Sequence, residues 1–402
     1  MACEPTQRIL SRINTIAFHL LIASALVVTL SCAGSAKGEN KLTGSTRPPQ
    51  LEYKFKNFRV LAEKNGGRVD WSHKLDLIAF DSAGEDGFFD IYIMKPDGMD
   101  RKCLTCNMPG VPQKHNGNPA WHPSGKYIVF QGQKEDAVGS SIDALPGYGR
   151  YCDLWIMTLK GDEIENIRPI AFHKVVDIPN DVNHSILHPH FSADGTKLSW
   201  SEMYDKPGLT FKGGQLSEGP VPGKGFGYWT LKVADFSVRD GKPTLSNIRE
   251  FQPGGQAWYE NHGFSPDGGK LLFTANLPEG SSVWSSDIYT LDLVNGTLTQ
   301  LTKTGYNEHA SFSPNGSKIA WMTNTEISNQ GTEYWVMNAD GTGKERITHF
   351  NEPGHPEYFE GRTVPSDCSW SPEGRSIVGF VQPNLLANVT KQGGMIIVIE
   401  LK

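Results

Sequence analysis

The sequence predicts an all-β protein, a six-bladed β-propeller of four-stranded antiparallel blades. Three observations predict it. An aromatic residue, a tight polar turn and a Gly recur before an apolar strand: Trp121-His-Pro-Ser-Gly125, Phe191-Ser-Ala-Asp-Gly195, Phe264-Ser-Pro-Asp-Gly268, Phe312-Ser-Pro-Asn-Gly316 and Trp370-Ser-Pro-Glu-Gly374, with a degenerate copy at Trp71-Ser-His-Lys-Leu75. A second unit follows in register, an acidic residue, an apolar-aromatic strand and another turn, as in Asp90-Ile-Tyr-Ile-Met94 before Asp97-Gly98 and Glu333-Tyr-Trp-Val-Met337 before Asp340-Gly341. The last repeat stops at its third strand, Met395 to Ile399, whereas a strand-like stretch, Phe58 to Ala62, precedes the first.

Taken in chain order, Leu20 to Leu30 form a mostly apolar run behind Arg8 and Arg12. The run is short for a bilayer span and predicts an export signal over residues 1–36. Cleavage after Ala36 and lipidation of Cys32 in Leu30-Ser31-Cys32 both remain open, and lipid on Cys32 would be the sole membrane attachment. Residues 37–52, rich in Gly, Ser, Thr and Pro, form a linker, and the propeller occupies 53–402. Each repeat aromatic ends an inner strand, the Asp-Gly type pair makes a hairpin, and the next strand follows, as in Lys270 to Phe273. An unpaired outer edge on the last blade would be an apolar template for aggregation. The stretch at 58–62 is therefore expected to complete that blade and close the ring.

The Ser-Pro-Asp-Gly turn, the Asp-Ile-Tyr-x-Met strand and the second Asp-Gly turn together resemble the TolB-type propeller repeat, across about residues 53–402. The resemblance implies a propeller fold and says little about activity. TolB proteins carry an α/β domain ahead of the propeller, and nothing of that size fits before residue 53. Related propellers front prolyl-oligopeptidase peptidases, but no Gly-x-Ser-x-Gly elbow is present.

Charge narrows the partners. Removing residues 1–36 takes two Arg and one Glu from 38 basic and 44 acidic residues, leaving 36 against 43, a net of −7. Without a basic cluster interleaved with aromatics, nucleic acid is excluded as a natural partner. A monomer, periplasmic, cell-surface or secreted, is expected. The body keeps Cys103, Cys106, Cys152 and Cys368. Cys103-Leu-Thr-Cys106 admits redox or zinc chemistry, but it falls on a closing strand with no helix N-terminus to lower a thiol pKa. A structural disulfide among Cys103, Cys106 and Cys152 is expected instead, with Cys106 to Cys152 across neighbouring blades as one pairing.

Propeller topology puts the short hairpins on one face and the long loops on the other: 133–151, 202–227, 276–286, 324–332 and 353–365. Three residues before each repeat aromatic stand Arg68, Asn118, His188, Asn261, His309 and Asp367, one polar group per blade at the channel mouth. His190, Glu260, His262 and Glu308 adjoin them, with His115, His184 and His355 on incoming loops. A plain hydrated channel accounts for such a ring. The alternative is a zinc or manganese site on His188, His262, His309 and Glu308. Neighbouring strand residues face opposite sides, so Glu308 and His309 reach the axis together only through a local distortion. Aromatics beside the long loops, Tyr148, Tyr204, Phe226, Trp258, Tyr259, Trp284, Tyr306 and Tyr358, serve as loop packing or as platforms for a glycan or peptide.

Two functions follow. One is a non-catalytic exported propeller that binds a protein or a cell-envelope glycan through its decorated face. The other is a metal-assisted polysaccharide (uronate) lyase or hydrolase, by architectural analogy with oligogalacturonate lyases of TolB-like repeat.

Overall fold

The computed structural model describes residues 54–402 apart from 140, 206–209, 213–214, 218–225, 279–280, 328–330 and 385–393. The expected signal and linker, with Cys32, lie outside the described residues. The chain is an all-β propeller of antiparallel four-stranded blades. Four sheets have four strands each, beginning at Asn116, Ser185, Tyr259 and Asn307. A fifth sheet has seven strands, because Phe55–Trp71 runs through it. The first half of that strand pairs with Gly394–Leu401, Phe58 opposite Ile399 and Val60 opposite Ile397. Its second half pairs with Ile78–Ala83, Val69 opposite Phe80.

The core lies between the faces of neighbouring sheets, as strand alternation requires. Leu77, Ala79, Ile91 and Ile93 pack against Trp121, Ile128 and Phe130. Leu272 and Ile288 meet Ile319, Trp321 and Met337 in the same way. The polar turns behave as their sequence asks: Ser265 Oγ donates to Asp267 Oδ1 and accepts from Lys270 N at 3.0 Å, while Gly268 takes φ +69°.

The inner strands depart from regular pairing. The register of each slips near the channel: between Gly66 and Val69, Gly117 and Ala120, Asn261 and Phe264, Glu308 and Ser311, Pro365 and Cys368. The strand Ser185–Phe191 slips opposite Ser199–Ser201. Asn118, His188 and His309 occupy left-handed backbone at φ +52°, +49° and +51°, and Gly263 does so at +83°. A bulge leaves an extra residue outside the ladder, and its N–H needs another acceptor. The preceding sheet supplies it. Asn118 N donates to Asp81 Oδ2 at 2.9 Å, and Asn261 N donates to Ser201 Oγ at 2.7 Å. Trp121 N donates to Asp70 from the neighbouring sheet, and Trp71 N donates to Ser369 Oγ across the seven-stranded sheet.

The cysteines correct an expectation. Cys103 bonds to Cys106, not Cys106 to Cys152. Cys152 is buried and free, its Sγ directed at the carbonyls of Ala144 and Arg150. The closing strand ends at Cys103 and turns at once, which brings Cys106 back beside it.

Candidate functional site

The bulges supply the distortion that a channel cluster needs. Because His309 is left-handed, Glu308 and His309 both enter the same buried group, with Glu308 Oε2 at 3.1 Å from His309 Nε2. Around them stand His188, Glu260 and Asp367. His188 Nε2 lies 2.7 Å from Glu260 Oε1, and its Nδ1 lies 3.4 Å from Asp367 Oδ1. His309 Nδ1 lies 3.2 Å from Asp367 Oδ1 and 3.7 Å from Glu260 Oε1. Arg68 Nε closes the group at 3.4 Å from Asp367 Oδ2. Four of the six predicted ring residues, Arg68, His188, His309 and Asp367, thus meet.

The other two do structural work. Asn118 Nδ2 donates to Gln131 Oε1 and the carbonyl of Pro146, each at 2.6 Å. Asn261 Nδ2 donates to the carbonyl of His188 at 2.7 Å and to Ser199 Oγ at 3.0 Å, which holds the His188 bulge in place. His262, expected among the ligands, sits beside the group with its Nε2 on Thr274 Oγ1 at 2.7 Å. Its ring centroid is 6.1 Å from those of His188 and His309. His190 packs against Gly263, where a Cβ would stand 3.0 Å from its own. His115 accepts from Phe89 N, and His184 pairs with Asp181 at 2.8 Å, both away from the channel group.

Burial and mutual charge set the protonation pattern. Burial pushes the His188 imidazole down to about 4 and holds His262 well below its ordinary value, so both are neutral. Burial acts against a charged His309 too, but Asp367, Glu308 and Glu260 overcome it and hold His309 well above its ordinary value. Asp367, despite its burial, is held well below its ordinary value by the charges of His309 and Arg68. Burial, then the neighbouring Glu260, lifts Glu308 to about 7. Tyr306 donates to Glu308 Oε2 from the loop side.

His309 Nδ1 is buried and faces two carboxylate oxygens, Asp367 Oδ1 and Glu260 Oε1. His188, Glu260 and His309 each offer one donor atom, all within 4.8 Å of one another. Two imidazoles with a carboxylate are the donor set of a zinc or manganese site, with Asp367 available as a further ligand. Glu260 was seen in the sequence only as a neighbour of Asn261.

The decorated face covers this group. Gly147, in the 133–151 loop, packs against the guanidinium of Arg68: a Cβ there would stand 2.6 Å from Nη2 and would displace it. The loop aromatics pack rather than project. Trp258 and Tyr259 are buried, and Trp284 lies edge-on to both Phe226 and Tyr306.

No family model matches the chain. A stretch of 64 residues is 39% identical to dipeptidyl-peptidase 5 of Porphyromonas endodontalis, covering 15% of this chain and 9% of that protein. The chain therefore matches only a small part of that relative's length. Among solved structures it is similar to TolB from Acinetobacter baumannii (TM-score 0.46, 16% identity, 82% of this chain and 64% of that one). It is also similar to a TolB of Agrobacterium tumefaciens (0.43, 18%, 71% and 74%) and to a gluconolactonase of Xanthomonas campestris (0.46, 12%, 90% and 99%). At these identities the likeness concerns fold alone, and the fold rests on the chain's own sheets. The protein is a β-propeller. Its resemblance to TolB-type propellers is one of architecture and carries no ligand with it.

Proposed function

We propose that residues 53–402 form a six-bladed ring closed by Phe55–Ala62, and that this exported propeller binds an anionic cell-envelope ligand through a divalent cation on its axis. His188, Glu260 and His309 would hold the cation, with Asp367 as fourth ligand or as the group orienting both imidazoles. The observation that carries this reading is the convergence of His188, Glu260 and His309 in one buried group, each with a donor atom and all within 4.8 Å of one another. The pairing of Phe55–Trp71 with two successive strand groups supports the closed ring, and the apolar run at 20–30 supports export. Such a cation supplies an attachment point for a carboxylate, so a uronate-bearing glycan fits better than a neutral one. The chain's own contribution is to orient the donors and to exclude water beneath the 133–151 loop.

A second reading, a uronate lyase, is favoured by one specific feature. His262 is a neutral imidazole next to the group, and Thr274 fixes its Nε2. A neutral, oriented imidazole is what proton abstraction beside a carboxylate needs.

Elemental analysis of the purified chain tests the proposal, repeated for His188→Ala and His309→Ala. One equivalent of zinc or manganese, lost from both variants while circular dichroism stays unchanged, supports it. A folded, metal-free protein that does not take up either ion on dialysis overturns it. With metal present, polygalacturonate separates the readings: binding without an unsaturated product is the first, and formation of that product is the second.

A further inference from the structure

A second group of imidazoles and carboxylates lies outside the channel, on the connection between Glu345–Arg346 and Val364–Trp370. The rings of His349 and His355 lie parallel, 5° apart, with centroids separated by 4.0 Å. Glu352 Oε2 stands 3.6 Å from His355 Nε2, and His349, Glu352 and His355 bring one donor atom each within 4.8 Å.

The surroundings are built to hold these donors. Glu333 accepts from Phe350 N at 2.9 Å, Asn351 N at 2.8 Å and Thr348 Oγ1 at 2.7 Å, which fixes the start of the segment. Arg346 Nη1 grips Glu352 Oε1 at 2.8 Å and leaves Oε2 turned to His355. Glu357, only 1% exposed, receives both His349 N and His349 Nδ1 on its Oε1. That contact fixes the tautomer and leaves Nε2 as the donor, the arrangement in which a carboxylate orients a metal-binding imidazole. Its Oε2 is buried without a hydrogen-bond partner among the described residues. Gly354, at φ +99°, reverses the chain so that His355 returns over His349.

We infer that His349, Glu352 and His355 form a second metal site, selective for zinc-like first-row cations, that closes the 349–355 turn on itself. Two imidazoles and a carboxylate leave one coordination position open to water. The same segment carries Phe359, packed on Phe350 and on Phe58 of the N-terminal strand, and Arg362, whose charge acts on Tyr306. An ion here therefore orders the start of the segment that carries these two side chains. The site stands independently of the channel reading.

Equilibrium dialysis of the full chain against zinc chloride tests it, with His355→Ala, Glu357→Gln and the double variant His188→Ala/His309→Ala. His355 is a surface side chain, so its removal leaves the fold intact. His355→Ala is expected to lose one zinc equivalent relative to its parent, whereas the channel double variant keeps that equivalent. Glu357→Gln is expected to weaken zinc binding about tenfold or more by releasing the imidazole it orients. Zinc stoichiometry and affinity unchanged in His355→Ala would overturn the inference. If the wild type binds a single zinc that is lost in His355→Ala, this site is upheld and the channel site fails; a single zinc lost only in the channel variant gives the reverse.

Discussion

Asp81 offers the sharpest test of how the blades are joined. It is fully buried and accepts from Arg68 N at 3.0 Å and from Asn118 N at 2.9 Å, so it staples two sheets beside the channel. Space there is so tight that a Cβ on Gly67 would stand 1.8 Å from Asp81 Oδ1. Burial pushes its carboxyl from the ordinary 3.8 up to about 7, against the pull of Arg68 and the two N–H donors. In the unfolded chain the carboxyl ionises near 3.8, so between that value and about 7 the folded state holds more proton. Stability from this group is therefore complete below pH 4 and is lost as pH rises through 7. At about 1.4 kcal/mol per pH unit, the gap corresponds to about 4 kcal/mol at most. With an unfolding entropy of about 2 cal/mol/K per residue over roughly 350 residues, that is a Tm change on the order of 5 °C. The variant Asp81→Asn cannot ionise, and its amide N–H₂ faces one of the two N–H donors. It should melt below wild type at pH 5, and the deficit should shrink by several degrees at pH 8. Scanning fluorimetry of both proteins across this range measures it. A wild-type-to-variant gap that is equal at pH 5 and pH 8 would refute the account of a neutral, buried staple.

Two further outcomes follow from the same geometry. Beginning the chain at residue 63 removes the partner of Gly394–Leu401, exposing the edge around Ile397 and Ile399; the product should melt lower and associate in proportion to concentration on size-exclusion chromatography. In chain starting at residue 37, denaturant should expose two reactive thiols, Cys152 and Cys368, before reduction and four after it, and Cys103→Ser should cost no more than about 2 kcal/mol, since the loop it closes is very short.

The blades were legible from local chemistry. Each Asp-Gly or Asn-Gly turn prefers one hairpin geometry, and strand alternation names the faces that pack, so Phe264 to Gly268 and Lys270 to Phe273 read almost directly as strand, turn and strand. The position three before each aromatic was legible as a polar ring, and in Asn118, His188 and His309 the residue types that best tolerate left-handed backbone were already in view. Counting strand residues alone, however, separates Glu308 from His309 and keeps Glu260 off the axis. A bulge belongs to the pairing of two strands and to the acceptor that a third offers, such as Ser201 for Asn261, and none of these is adjacent in sequence. The same limit applies to the cysteines: spacing allowed Cys106 to reach Cys152, and only the turn after Cys103 decided otherwise. Repeated local preferences determined the architecture from the sequence by itself. Only the tertiary structure decided which side chains meet, because their convergence depends on register slips and inter-sheet hydrogen bonds between segments far apart in the chain.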